Sequence, residues 1–78
     1  MSDFFSPADP IELLPDVLPG IVVQAIASHL PGRVRFRSSD WPAELYQVEA
    51  NTFLLPNERV NIVAIQGITL LVQPLSRV

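Results

Sequence analysis

The stretch Arg33-Val34-Arg35-Phe36-Arg37-Ser38 decides the fold class of this chain. Val34 and Phe36 alternate with three arginines, a period of two that suits a half-buried strand and not a helix. Just upstream, His29-Leu30-Pro31-Gly32 carries the punctuation of a turn, and residues 21–27 read as a first strand. Downstream, Ser39-Asp40 marks a tight connection into a third strand. There Trp41, Ala43 and Leu45 share one face, with Glu44 and Tyr46 opposite. Residues 49–58 form a longer connection in which Asn51 and Asn57 are suited to left-handed backbone. Residues 59–66 read as a fourth strand, Gly67 as a tight turn and residues 68–73 as a fifth. Five short strands leave no room for a crossover helix and predict an antiparallel meander that closes on itself, which removes exposed edges. The common solution at this size is an all-β, five-stranded Greek-key barrel of the OB type, without an inserted helix.

Residues 20–78 make up this barrel domain, and residues 1–19 form a Pro-rich acidic arm ahead of it. The arm holds four of the eight acids (Asp3, Asp9, Glu12, Asp16) and no base, while the remainder balances five arginines against Asp40, Glu44, Glu49 and Glu58. Pro7, Pro10, Pro15 and Pro19 exclude a long helix. One short helical turn is expected, capped by Asp9, opened by Pro10, with Glu12 three residues after the cap, and ended by Pro15. Ile11, Leu13, Leu14, Val17 and Leu18 are too apolar for a free tail. The arm is therefore expected to dock on a barrel, in cis or on a neighbouring copy. Two strands are apolar on both faces, and Val22, Ile26, Val63 and Ile65 are expected to form the outer patch that receives it.

Composition narrows the function. With 49% apolar and 17% charged residues in 78 positions, the chain is one globular domain and not a disordered one. It has no cysteine and a single histidine, too few ligands for a zinc site, and no metal or other cofactor is expected. No apolar run approaches the ~20 residues needed to cross a bilayer, and no leader pattern opens the chain, so a cytoplasmic protein is expected. The Ser28-His29 pair does not make a catalytic site, because adjacent side chains point apart and a triad is defined by geometry. His29 reads as a turn residue and Trp41 as a core anchor. A non-catalytic module is the resulting expectation.

Arg33, Arg35 and Arg37 remain as the candidate interaction residues. Their spacing sets three guanidinium groups on one strand face. They suit contact with an acidic protein or an anionic lipid surface, contact with nucleic-acid phosphates, or a solvated face paired with a cross-strand acid such as Glu44. A sequence pI near 4.7 and the absence of lysine argue against a broad nucleic-acid footprint.

The ordered set Gly20, Leu30-Pro31-Gly32-Arg33-Val34-Arg35-Phe36, Trp41-Pro42-Ala43, Leu55-Pro56-Asn57-Glu58-Arg59-Val60 and Gln66-Gly67-Ile68-Thr69-Leu70-Leu71-Val72 resembles the C-terminal soluble domain of the NfeD family. The resemblance covers about three quarters of the chain. It implies an OB barrel without the inserted helix. It also implies a protein-interaction role beside stomatin- and flotillin-type membrane scaffold proteins. Self-association is a separate expectation, since strands apolar on both faces need the arm, a second copy or a partner to cover them. Longer members carry transmembrane helices and some a serine protease domain, and no such segment is expected here. Asn57 stands where the family usually has glycine, and asparagine is the best substitute at positive φ. A small nucleic-acid-binding OB protein is the rival reading.

Overall fold

The computed structural model describes residues 9–75. Seven strands follow one another: β1 (Ile11–Gln24), β2 (Ile26–Ala27), β3 (Gly32–Phe36), β4 (Ser39–Leu45), β5 (Phe53–Leu54), β6 (Arg59–Gln66) and β7 (Thr69–Pro74). There is no helix among the described residues. Five strands close into a barrel in the order β1-β3-β4-β7-β6, while β2 and β5 pair as a small separate sheet. Every barrel pairing is antiparallel except β4 with β7, which run parallel.

That parallel pair distinguishes the Greek key from the simple meander expected from strand spacing. After β4 the chain leaves the barrel, pairs β5 with β2, and re-enters beside β1 as β6. The tight β6–β7 turn then places β7 in the gap between β6 and β4. Gly67 makes this turn with φ +63, in the left-handed region that costs other residues about 1–2 kcal/mol. The turn Leu55-Pro56-Asn57-Glu58 that leads into β6 has a Glu58 N–H to Leu55 carbonyl bond of 3.1 Å and Asn57 at φ +76. Proline second and a positive-φ residue third define a type II turn. Asn51 is not among the positive-φ residues.

The interior is filled by Val22, Ile26, Val34, Leu54, Val60, Ile62, Leu70 and Val72, with Ala43 as the small member. Most are β-branched, stiff side chains that suit a pleated surface. The register corrects the expected outer patch. Val22 faces Val34, and Gly20 faces Val60, so the even-numbered residues of this part of β1 point inward and Val22 is core. Ile26 is also fully buried, and Ile65 packs against the core. A bulge on β6 between Ile62 and Ala64 reverses the alternation and turns Ile65 inward.

Trp41 differs as well. It lies directly across from Val34 and so faces inward, yet it is 37% exposed. In the parallel register Ala43 meets Leu70, which puts Trp41 level with Ile68 in the turn, where β7 has not yet begun. Trp41 therefore sits at the open mouth of the barrel and is not a central anchor.

The expected helical turn after Asp9 is absent, because residues 11–19 continue into the barrel as one strand. Ile11, Glu12 and Leu13 pair with Gln66, Ile65 and Ala64, and Leu18 pairs with Ile62, leaving three extra residues out of the ladder in between. Cross-strand pairing outweighs the local capping signal, and extended backbone suits Pro15 and Pro19. The preceding part of the arm lies outside the described residues.

Candidate interaction surface

The β3–β4 hairpin positions the candidate arginines. Gly32 and Val34 are buried, so Arg33 and Arg35 point outward. On the β4 side Arg33 faces Pro42 and Arg35 faces Asp40; on the β1 side they face Gln24 and Ile21. Ile21 in turn faces Arg59 of β6, so a belt Arg59–Ile21–Arg35–Asp40 runs around the outside of four strands.

Arg35 is engaged. Its Nε donates to Asp40 Oδ1 at 2.9 Å and its Nη2 to Oδ2 at 3.4 Å. The guanidinium hydrogen bond holds the Asp40 carboxyl below the usual carboxylate range, and the same bond raises Arg35. Both groups are in solvent, so the pair fixes geometry more than it stabilises the fold. Asp40, and not Glu44, is the acid across the strand, because the hairpin register sets position 35 opposite position 40. Arg33 donates from Nη2 to the Asp40 carbonyl at 3.2 Å.

Arg37 stands apart from the other two. Phe36 pairs with Ser39, so Arg37 and Ser38 alone form the turn, both at positive φ (54 and 69). This is the type I′ pattern, which matches the twist of a hairpin but normally uses asparagine or glycine. Its guanidinium carbon lies 5.0 Å from the centroid of the Phe36 ring, within cation–π range. The three arginines thus form a face of two with a third at the hairpin tip, and neither Arg33 nor Arg37 has a carboxylate partner among the described residues.

At the opposite end of the barrel, Ser28 and His29 line a depression of about 260 Å³ with Ala27, Leu30, Pro31, Glu44 and Leu45. The Ser28 hydroxyl donates to the Ala50 carbonyl at 2.6 Å, a structural tie between two loops. Beside it, Leu30 and Phe53 both face Ala27, and both are half exposed. Among the described residues no three of His, Cys, Asp and Glu are grouped to hold a metal ion, and no helix is long and apolar enough to cross a membrane.

One surface escaped sequence reasoning. Ile11, Leu13, Pro15, Val17, Pro19, Ile21 and Val23 are all exposed. They occupy every odd position of β1, a period visible in the sequence but obscured by the prolines, which read as strand breakers.

A closed five-stranded barrel in this order, with no helix among the described residues, is of the OB type. Residues 16–74 match the family of the NfeD-like C-terminal, partner-binding domain, and this chain belongs to that family. Among solved structures, the chain is similar to the C-terminal domain of stomatin operon partner protein 1510-C from Pyrococcus horikoshii. The two are 26% identical, with a TM-score of 0.66 over 78% of this chain and 88% of that one. None of the curated proteins matches this chain in sequence.

Proposed function

We propose that this chain is a non-catalytic docking module for a stomatin-type membrane scaffold protein, and that Arg33, Arg35 and Arg37 make the contact. The partner class rests on the family, a partner-binding domain, and on the likeness to a stomatin operon partner protein. The observation that carries the site is that Arg33 and Arg37, on the β3–β4 hairpin, have no salt-bridged carboxylate among the described residues. A fixed guanidinium fork suits a carboxylate on a partner, because little freedom is lost on binding. Arg35, already paired with Asp40, shares that outer face with Arg33. The module acts in the cytoplasm and reaches the membrane surface through its partner.

Retention of the protein on an immobilised stomatin-type protein, compared with retention on single-stranded nucleic acid over a salt series, tests this reading. Binding to the protein and none to nucleic acid is expected. Retention on nucleic acid alone, with the steep salt dependence of phosphate contacts, would overturn it in favour of a nucleic-acid-binding OB protein.

A further inference from the structure

The barrel mouth lies at the end that carries the β3–β4 and β6–β7 turns. Carried back two residues, the parallel register that joins Ala43 to Leu70 sets Trp41 beside Ile68. Trp41 is 37% exposed and Ile68 44%. Phe36 reaches the same interior from β3 and packs, partly buried, against the core. It pairs with Ser39, two residues before Trp41, so its ring lies diagonal to the indole. Diagonal positions are about 7–8 Å apart, a gap that aromatic side chains bridge. Arg37 completes the group at the hairpin tip, its guanidinium carbon 5.0 Å from the Phe36 ring centroid.

The rim differs in charge from side to side. On the β1 side Asp9 and Glu12 line a depression of about 230 Å³ with Pro10, Ile65 and Gly67. On the opposite side stands Arg37, with no salt-bridged carboxylate among the described residues. We propose that the mouth is a second part of the docking surface, where Trp41 and Ile68 receive an apolar side chain of the partner while a carboxylate of the same segment meets Arg37. This rests on the docking proposed above and adds the chemistry of the segment that docks.

Three observations favour this occupant. The Phe36 ring holds the Arg37 guanidinium in place without consuming a carboxylate, and its donor fork suits one. Tryptophan and arginine beside an apolar recess are the residue types that carry most binding energy at protein interfaces. Finally, charge sets the direction. A segment that brings its acid to Arg37 keeps it away from Asp9 and Glu12, and the reversed orientation opposes like charges. The step from Ser39 to Trp41 is about 7 Å at ~3.3 Å per residue. Acid and apolar residue therefore lie about two positions apart in an extended partner segment, where both side chains face the same way.

The chain has one tryptophan, so a 5-fluorotryptophan preparation gives a single fluorine resonance from position 41. Titration with the stomatin-type protein should shift that resonance and saturate as binding does. Trp41→Ala should weaken binding by roughly tenfold or more. Ile68→Ser, at an exposed turn position, should act in the same direction with an unchanged circular dichroism spectrum. In the free chain, acrylamide should quench Trp41 fluorescence readily. A Trp41 shielded from acrylamide in the free chain would overturn the proposal, because the mouth would then be covered by the chain itself or by a second copy. So would an unmoved resonance, with folded Trp41→Ala and Ile68→Ser variants binding as tightly as the wild type. Loss of binding in the Arg33→Glu, Arg35→Glu, Arg37→Glu variant alone would then leave the arginine docking intact without the mouth. Absence of any binding by the wild type would overturn both.

Discussion

Gly32→Ala should be among the most damaging single-methyl additions to this protein. A Cβ at Gly32 would be driven into the backbone carbonyl oxygens of Gln24 and Ala25, and would lie 2.7 Å from Cγ1 of Ile26. Two of these obstacles are backbone, so side-chain rotation cannot relieve them. Relief requires β3 to move away from the end of β1, at the bulge where Gln24 meets Arg33. Overpacking of this kind costs about 1–3 kcal/mol, and a weakened ladder bond adds ~1 kcal/mol. The sum, about 2–4 kcal/mol, is a large part of the ~4–12 kcal/mol expected for a domain of this length. Gly20→Ala is the internal control. Its Cβ would meet Val34 Cγ1 at 2.7 Å and Ile62 Cδ1 at 3.1 Å, both side chains able to shift, and about 1–2 kcal/mol is expected. Thermal unfolding followed by far-ultraviolet circular dichroism should show Gly32→Ala melting roughly 10–25 °C below the wild type. Equal melting of the two variants, or a milder loss for Gly32→Ala, would refute the close approach of β3 to residues 24–25.

The core predicts a second ordering: Ile26→Ala, at a fully buried position, should cost about 2–5 kcal/mol in chemical denaturation, and Trp41→Ala at the barrel mouth should cost less. At the hairpin, the double substitution Arg37→Asn with Ser38→Gly should raise stability by about 1 kcal/mol or more by relieving two positive-φ residues; no gain on thermal melting would argue against the type I′ turn. Asp40 should titrate below the ordinary aspartate range in a carbon-detected pH titration, since its charged form is bonded to Arg35. A depressed folded pKa means that its small contribution is present above the unfolded pKa and is lost as pH falls through the folded one. Asp40→Asn should flatten that part of the stability–pH curve, and the Asp40 titration should move up in an Arg35→Ala variant, which loses the largest cause of the shift.

The barrel was legible because alternation and turn chemistry agree from residue 20 onward. The Gly67 turn and the left-handed Asn57 both follow from residue type alone. Strand order was less legible. Local periodicity carries no information on which strand neighbours which, so the parallel β4–β7 pair could not be read from spacing. Val22 and Ile26 were placed outside because both faces of the first strand are apolar, and only the partners Val34 and Val60 reveal which face is inner. Trp41 misleads for a related reason: its face is right, but its depth depends on where β7 begins. In the arm, proline frequency outweighed the apolar odd positions of β1, and local capping chemistry suggested a helix where tertiary pairing makes a strand. Of the candidate site, the outward direction of Arg33 and Arg35 was legible. The partner Asp40 and the separate position of Arg37 depend on a two-residue turn that neither arginine nor serine announces.

The proposed docking of a stomatin-type protein on the arginines of the β3–β4 hairpin is open to direct measurement. Isothermal titration of such a protein with the wild-type chain and with the Arg33→Glu, Arg35→Glu, Arg37→Glu triple variant tests it most directly. Exposed charges contribute about 0–1 kcal/mol per pair to folding, so the variant should retain its circular dichroism spectrum and nearly its melting temperature. Saturable binding by the wild type is expected, with loss of that binding in the folded variant. A folded triple variant that binds as tightly as the wild type would contradict it.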